Sequence, residues 1–258
     1  MLDEDVSPEP EEDNSHTSFP LPLPHLSTTP LNHPDCCLSL STTLIHRIVD
    51  ILRPDAHSPP STTLSVLSIG SGTGLLEAIL ATHAPTGALE VHGVEVFSSS
   101  SANKYIPTHL RHIVPSTSAM YEDATDFPVW IFIYPRDPRL VRQYLDLAVK
   151  NEQARQVTFL FLGPKADFLP PASGEGDDGD GEAQQDTFAD VLGSFSDHIE
   201  RCHDFVEQDE STSLKHSSDN GSTFDKPFRA SVFSSTDAGL PSYEVLCVLG
   251  TSDPKKTA

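Results

Sequence analysis

The middle of the chain alternates between two hydrophobic patterns. Short apolar runs rich in β-branched residues are typical of buried strands, and they occupy 63–69, 89–96, 111–114, 129–134 and 157–162. Around them, apolar positions that recur every three or four residues predict helices over 39–52 and 138–151, and we also expect helices over 75–83 and 120–124. Continuous apolar strands that alternate with helices are typical of a parallel sheet covered on both faces.

The pattern changes after residue 163. Apolar spacing predicts a further helix over 187–206, and two strands over 228–234 and 243–249 are expected to form an antiparallel hairpin. We therefore expect an α/β fold. It consists of a doubly wound, mostly parallel, seven-stranded sheet with helices on both faces and a C-terminal antiparallel hairpin.

Acidic segments flank this pattern. The chain has 16 Lys and Arg against 38 Asp and Glu, a net charge of −22. Residues 1–35 are acidic and proline-rich and are predicted to be a largely disordered arm, followed by one domain over 36–258 with disordered acidic insertions at about 172–186 and 208–224. A calcium loop is disfavoured in the first insertion because its glycines are irregularly spaced. Negative charge repels phosphate backbones and anionic lipids, so we expect neither nucleic acid nor a membrane as a partner.

The sequence also indicates the compartment. Its N-terminal residues lack the basic and apolar regions of a signal peptide, and no apolar run approaches the roughly 20 residues of a transmembrane helix. Neither cysteines nor histidines show zinc-site spacing, so we expect reduced thiols, no metal, and a cytoplasmic or nuclear location. The residues considered were Cys36, Cys37, Cys202, Cys247, His92, His109, His112, His198 and His203.

The most informative stretch joins the first predicted strand to the next helix. Gly70, Gly72 and Gly74 stand there, and glycines permit both a sharp turn and close approach of a ligand to the backbone. Gly74 is a possible helix cap, with Glu77 at the capping-box position. A dinucleotide-binding turn expects its third glycine at position 75, and the chain has Leu75 there.

The second predicted strand ends with an acidic residue. Glu95 is suited to accept hydrogen bonds from both hydroxyls of a ribose, and the neighbouring Val96 is suited to pack on an adenine ring. A carboxylate at this point also disfavours a 2′-phosphate. A glycine turn, a helix and an acid-ended strand in this register indicate a nucleoside-containing ligand.

These residues resemble the motifs of one known family. Ile69 to Gly74 and Glu95 are similar to the first two motifs of the class I S-adenosylmethionine-dependent methyltransferases, and the element order over about 39–162 is similar to their doubly wound sheet. The resemblance implies S-adenosyl-L-methionine as cofactor, with adenine contacts in the loop after the third strand or, alternatively, at residues 122–124. The implied cofactor-binding residues are Gly70, Ser71, Gly72, Thr73, Gly74, Glu95, Val96, Ser116 and Thr117.

The chain departs from the family pattern in two places. Family members usually carry an acid two residues before the first glycine, where this chain has Ser68. After the fourth strand the chain has residues 133–138 in place of the Asn-Pro-Pro-aromatic signature of amino-directed nucleic-acid and glutamine methylation. We also expect no cysteine near that strand end, which excludes a cytosine-C5 type of mechanism. Tyr134 and Arg136 emerge there as possible catalytic residues bordering the acceptor. The plainer interpretation is that Tyr134 caps the strand and that Arg136 pairs with Asp137 or Asp126.

Two functions therefore remain open. The first is a methyltransferase that acts on a small molecule or a protein side chain. The second is a catalytically inactive, methyltransferase-like scaffold or interaction protein, since fold alone does not decide function.

Overall fold

A computed structural model of the protein describes residues 19–52, 63–96, 101–151, 157–168, 186–201 and 228–251. Its strands are β1 (Leu31–His33), β2 (Cys36–Leu40), β3 (Leu64–Ile69), β4 (Leu89–Val96), β5 (Arg111–Val114), β6 (Val129–Ile133), β7 (Thr158–Pro164), β8 (Ser196–Arg201), β9 (Phe228–Phe233) and β10 (Glu244–Thr251). Its α-helices are α1 (Thr42–Leu52), α2 (Leu75–His83), α3 (Pro138–Lys150), α4 (Phe188–Phe195) and α5 (Ser235–Ala238). Short 3₁₀ turns span Thr108–Leu110, Ala124–Asp126 and Lys165–Phe168.

Eight of these strands form one sheet, in the order β5-β4-β3-β6-β7-β10-β9-β8. The five strands from β5 to β7 are parallel, whereas β10 is antiparallel to both β7 and β9. The predicted doubly wound, mostly parallel sheet with an antiparallel C-terminal hairpin is confirmed. It carries one further strand, β8, which pairs with β9 at the edge.

Alternate side chains of the central strands enter two hydrophobic cores. Leu67 and Ile69 of β3 pack on the face covered by α3 and α4. Val66 packs on the opposite face, against α1 and α2. Trp130 of β6 is fully buried in the first core, as expected for an apolar strand residue. Because both faces are covered, a ligand must bind at the ends of the strands.

Local capping sets the start of two helices. Ser41 Oγ accepts the N–H three residues on at 3.0 Å, so α1 begins at Thr42, whereas Ser39 belongs to β2. Asp137 caps α3 by accepting from Arg139 N–H at 2.9 Å. The predicted helix over 138–151 is confirmed, and the helix predicted over 39–52 loses its first three residues to the strand β2 and its cap.

The helix predicted over 187–206 is wrong over 196–201, where the structure has a strand, and residues 202–206 lie outside the described residues. Helix α4 begins with a capping box, in which Thr187 and Asp190 bond to each other's backbone N–H groups. It ends at Phe195, and Ser196 then starts β8. The physical reason is that β9 leaves an open edge whose backbone groups pair with this segment.

The helix predicted over 120–124 is also wrong. The structure has a single 3₁₀ turn there, at Ala124–Asp126. A segment this short gains too few hydrogen bonds to offset the cost of helix nucleation.

The N-terminal segment 19–40 lies along the domain. Phe19, Leu23 and Leu26 pack against the core beneath α1 and α2. Strands β1 and β2 then form a small antiparallel sheet of their own.

The predicted insertions at 172–186 and 208–224 lie outside the described residues, except for Asp186, whose carboxylate pairs with Arg142 at 2.8 Å. In the described part of the chain, no helix combines the length and the apolar character that crossing a membrane requires.

Candidate functional site

The glycine turn (residues 70–74) follows β3 at the carboxyl end of the sheet. Its three glycines have positive φ angles, +73° at Gly70, +60° at Gly72 and +81° at Gly74. A Cβ added at Gly70 or Gly72 would meet no atom within 4 Å, whereas one at Gly74 would lie 2.4 Å from Ile106 Cγ1. Gly70 and Gly72 therefore border open space, and Gly74 permits close packing inside the protein.

Two neighbouring segments fix the backbone of the glycine turn. From β4, Val94 O accepts from Gly70 N–H at 3.0 Å. From the segment after β4, Asn103 N–H donates to Gly72 O at 2.8 Å. The turn is thus held in place before any ligand binds, which lowers the ordering cost of binding.

Asn103 is the central side chain of this arrangement. It is 2% exposed, has a φ of +53°, and accepts a hydrogen bond from Ser71 Oγ at 2.5 Å. Its Nδ2 donates to Gly93 O at 3.0 Å. The sequence analysis missed Asn103 because the pattern around it is weak, although asparagine is one of the residues that tolerates positive φ.

The hydroxyls of Ser71 and Thr73 point to protein partners. Ser71 is 8% exposed, and Thr73 Oγ1 donates to Asp35 O at 2.6 Å. The Asp35 carboxylate in turn accepts from Lys104 Nζ at 2.6 Å and from Tyr105 OH at 2.7 Å, and these bonds lower its pKa. The contacts tie the link between β1 and β2 to the glycine turn.

Glu95 contacts the glycine turn directly. Its Oε2 accepts from Gly72 N–H at 2.9 Å, and its Oε1 accepts from Val96 N–H at 2.8 Å. An ionised carboxylate has about four acceptor positions, so further donors can bind to it. Val96 beside it is half-buried and packs on the α3–α4 core.

Ser116 and Thr117 follow β5 at the same edge of the sheet. Val114, the last residue of β5, pairs with Val96 in the parallel register, so the loop after β5 begins beside the end of β4. Both side chains are exposed, and Ser116 Oγ lies 3.2 Å from Ser118 Oγ. The structure thus brings together the ends of β3, β4 and β5.

Glu77 does not form the predicted capping box. Gly74 is the N-cap of α2, in a left-handed conformation and without a side-chain cap. The Glu77 carboxylate instead turns inward, where its Oε1 accepts from Ser68 Oγ at 2.5 Å. It is 1% exposed, and burial raises its pKa to about 7.

Tyr134 follows β6, next to the glycine turn. Phe132 pairs with Ile69 in the parallel register, so Tyr134 lies opposite the start of the turn. It has a φ of +48°, which is rare for a bulky residue and is found mostly where surrounding contacts impose it. Its hydroxyl donates to Glu244 Oε1 at 2.5 Å. The tyrosine thus joins β6 to β10 and does not merely end a strand.

Glu244 is the centre of a polar cluster with Ser39, Tyr134 and Tyr243, which we call the Tyr134–Glu244 cluster. The carboxylate is 1% exposed and accepts from Ser39 N–H at 3.2 Å and from Tyr134. Burial raises the pKa of Glu244, and burial and the bond to Glu244 raise the pKa of Tyr134. Sequence analysis missed Ser39 and Glu244, since neither belongs to a local motif.

Arg136 lies in the exposed loop after Tyr134. The ion pair expected between Arg136 and Asp137 is not formed, because Asp137 binds Arg139 at 2.9 Å. The described residues contain no ion pair between Arg136 and Asp126 either.

We expected no cysteine near the end of β6, and in the folded structure this expectation is wrong. Cys37 is near enough for its charge to contribute to the raised pKa of Tyr134. Cys36 beside it is half-buried, and desolvation raises its pKa to about 12. The cysteines arrive from β2, which is distant in sequence, so local inspection around residue 134 does not find them.

Two of the histidines, one on β4 and one on β5, form a pair. His92 Nδ1 lies 2.9 Å from His112 Nε2, and the two rings stack with centroids 5.2 Å apart. Burial lowers the pKa of both imidazoles. Within the described ranges, no group of three or more His, Cys, Asp or Glu side chains is arranged to hold a metal ion.

The strand order is that of the class I methyltransferase fold, with the antiparallel β10 inserted between β7 and β9. No protein-family model matches the sequence, and a search of curated proteins finds no match.

Solved structures similar to this chain include several methyltransferases. Precorrin-6y C5,15-methyltransferase from Geobacter metallireducens is 8% identical over 88% of this chain and 100% of that chain, with a TM-score of 0.46. A SAM-dependent methyltransferase from Aquifex aeolicus is 9% identical over 81% and 89%, with a TM-score of 0.41. The plantazolicin methyltransferase BpumL, solved with SAH, is 14% identical over 48% of this chain, with a TM-score of 0.35, and the chain spans 47% of its length.

Proposed function

We propose that the protein is an S-adenosylmethionine-dependent methyltransferase that acts on a small molecule or a protein side chain. The observation that carries the proposal is the hydrogen bond from Gly72 N–H to Glu95, beside open space at Gly70 and Gly72. It places a carboxylate and an uncovered backbone turn on one surface. Such a surface suits a nucleoside with a short extended substituent.

The residues of the site fit this cofactor at three points. Glu95 can accept from the ribose hydroxyls, Val96 offers an apolar contact for adenine, and the loop at Ser116 and Thr117 lies on the same side. The glycine turn leaves room for the methionine portion. The cofactor supplies an electrophilic methyl group, and the chain's contribution is to orient it and the acceptor in line.

Tyr134 is the residue that we place beside the acceptor. It lies opposite the glycine turn, and its hydroxyl already donates to the buried Glu244. If the acceptor must lose a proton, this pair can receive it, with Glu244 taking the proton of Tyr134. Arg136, exposed in the same loop, is the second residue that we propose to border the acceptor.

The scaffold alternative has one observation in its favour. In the described residues around Tyr134, the hydroxyl and carboxylate groups are engaged with each other, and the pKa values of Tyr134 and Glu244 are both raised. A protein that only presents this surface to a partner needs no free base.

Calorimetric titration with S-adenosylhomocysteine tests the proposal. Glu95→Gln should fold normally and bind the ligand about 10- to 100-fold more weakly, because the amide loses charge-assisted bonds worth about 1.5–3 kcal/mol. Equal affinity of the wild type and the variant would show that the ribose does not lie at Glu95. No binding to the wild type would leave the scaffold function.

A further inference from the structure

The histidine pair (His92 of β4 and His112 of β5) joins two neighbouring strands through its side chains. His92 Nδ1 and His112 Nε2 lie 2.9 Å apart, which is a hydrogen-bonding distance. One nitrogen of such a bond carries the proton and the other accepts it. The bond can therefore form when both rings are neutral or when one of them is charged. When both rings are charged, two N–H groups face each other, and the bond is replaced by repulsion.

The histidine pair is part of an aromatic cluster. The ring of Tyr121 lies on His112, with centroids 4.5 Å apart, and Phe127 meets the ring of His92 edge-on at 4.8 Å. The backbone N–H of Tyr121 also donates to Tyr144 OH of α3 at 2.9 Å. The position of Tyr121 is therefore fixed by two contacts, one with the histidine pair and one with α3.

Tyr121 is the far anchor of the loop that follows β5 (residues 115–120). At its near end the loop leaves Val114, which is buried and paired with the end of β4. Between these two anchors the loop is mostly exposed. Ser116 and Thr117, which we place beside adenine, therefore depend for their position on where Tyr121 is held.

Resting on the proposed function, we propose that the histidine pair positions the loop after β5 for the adenine portion of the cofactor, and that charging both histidines releases the loop and weakens cofactor binding. His92 and His112 are thus positioning residues that act through Tyr121. The release follows because two charged rings repel each other and draw water into the aromatic cluster.

The charged groups around the histidine pair set the direction of its response to pH. The titratable groups that face the pair and Tyr121 are Glu90, His109, Asp123 and Asp126. Burial lowers the pKa of both imidazoles, and the charges of His112 and His109 lower the pKa of His92 further. Glu90 and Asp123 act in the opposite sense. Both rings are therefore mostly neutral at pH 7.5, and they take up protons in two steps because the first charge opposes the second.

The sign of the effect on binding follows from proton linkage. The cofactor-bound state needs the intact pair, so it binds fewer protons than the free protein. The affinity for the cofactor should therefore fall as the pH falls below 6.5, the ordinary pKa of histidine. One hydrogen bond corresponds to about a three- to tenfold change in an equilibrium constant, and we expect a loss of affinity of this size between pH 7.5 and pH 5.

Calorimetric titration with S-adenosylhomocysteine at pH 7.5 and pH 5 tests the inference. His112→Phe keeps a ring against Tyr121 but cannot be charged. It should bind within about twofold of the wild type at pH 7.5 and should lack the three- to tenfold loss at pH 5. His112→Ala removes the ring and should bind about three- to tenfold more weakly at both pH values. His109→Gln is the control, since its exposed histidine also acts on His92, and it should keep the pH dependence of the wild type.

A second measurement uses the wild type alone, so it does not depend on the folding of a variant. Proton NMR follows the titration of the imidazole rings with and without S-adenosylhomocysteine. Bound ligand should shift the titration of the histidine pair to lower pH by about half a unit to one unit, because linkage is reciprocal. The exposed His25 should titrate at the same pH in both states.

Three results would overturn the inference while leaving the proposed function intact. The first is the same change of affinity between pH 7.5 and pH 5 in the wild type and in His112→Phe. The second is binding by His112→Ala as tight as that of the wild type, and the third is an unchanged titration of the pair when the ligand is bound. A wild type that does not bind S-adenosylhomocysteine at either pH would instead overturn the proposed function, and the inference with it.

Discussion

Two halves of one sheet edge are built in different ways. In the glycine half (residues 70–74 and Glu95), the key contact joins Gly72 to Glu95, which are 23 residues apart. In the Tyr134–Glu244 cluster, Glu244 bonds to Ser39 and Tyr134 across 205 and 110 residues. The first half is one strand–turn–helix–strand unit, whereas the second is assembled from three separate parts of the chain.

This difference decides what local sequence patterns can predict. Glycine spacing and an acid-ended strand identify the glycine half because the chemistry lies within one motif. The Tyr134–Glu244 cluster forms only when β2 and β10 reach the end of β6. No spacing rule relates Ser39 to Glu244, so only the fold reveals them.

A pair of glycine variants tests the glycine half on its own, and its effect on ligand binding is the largest that we expect. Gly72→Val should abolish binding of S-adenosylhomocysteine, because the side chain enters the open space where we place the ligand. Gly87→Val is the matched control. Gly87 has a φ of +73°, and a Cβ there also meets nothing within 4 Å, but it lies in the turn before β4, at the opposite end of that strand.

Both glycine variants should lose about 1–3 kcal/mol of stability from the strained positive φ. Only Gly72→Val should lose binding in calorimetry, with circular dichroism confirming that both are folded. Similar loss of binding in Gly87→Val would mean that the effect is indirect.

The second prediction concerns the pH dependence of stability. The pKa of Glu77 in the folded protein is raised to about 7. Glu77 therefore contributes to the free energy of unfolding in full below the ordinary pKa of a glutamate, and this contribution is lost as the pH rises through 7. The loss amounts to about 3 kcal/mol between pH 4 and pH 8. In urea titrations over this pH range, Glu77→Gln should not show this pH-dependent loss of stability, whereas Glu122→Gln, at an exposed position, should still show it. Parallel profiles for wild type and Glu77→Gln would contradict the burial of an ionisable Glu77.

The third prediction tests the Tyr134–Glu244 cluster. Tyr134→Phe removes a donor from the buried Glu244 and should lower the free energy of unfolding by about 1–2 kcal/mol. The bond from Tyr134 lowers the pKa of Glu244, so its loss raises that pKa further. A higher pKa of Glu244 increases the stability that the protein loses as the pH rises. The free energy of unfolding of the variant should therefore fall further below that of the wild type at pH 8 than at pH 4.

Tyr243→Phe is the control for this variant. Its hydroxyl is 3.3 Å from Ser39 Oγ and its side chain is 53% exposed, so the change should stay within about 0.5 kcal/mol. If both tyrosine variants behave alike, Tyr134 does not support Glu244 as the geometry indicates.

The smallest expected effect lies outside both halves, at the histidine pair. The pKa values of His92 and His112 are lowered by burial, so protonation opposes folding as pH falls below their ordinary value of 6.5. His112→Gln should reduce the loss of stability between pH 7.5 and pH 5.5 by less than about 1 kcal/mol after allowance for solvent screening. His25→Gln, an exposed histidine, should leave the profile unchanged when both are followed by thermal unfolding.

Most of the central fold could be predicted from its apolar runs and the turns between them. Strand β4 and helix α2 have the predicted bounds because each is a largely apolar run next to a glycine turn, with Gly74 before α2 and Gly87 before β4. The edge was harder to predict. β8 is polar and gains its structure from the open edge of β9, a contact that the helical spacing before it does not encode.

Within the candidate site, prediction was limited to residue types and spacing. Glu77 stands three residues after a glycine cap, which matches a capping box, but burial beside Ser68 turns its carboxylate inward. Asn103 acts through tertiary contacts with Ser71 and Gly93. Neither role follows from local spacing, since both depend on which elements pack together.

The central claim is that the glycine half binds S-adenosylmethionine and its product, and direct binding to the wild-type protein tests it. Calorimetric titration with S-adenosylhomocysteine should show one site, and ligand at about 100 times its dissociation constant should add about 2.7 kcal/mol to the stability of the protein. The account predicts both the binding heat and the matching rise in Tm. Absence of both at millimolar ligand would contradict it and would favour the scaffold function.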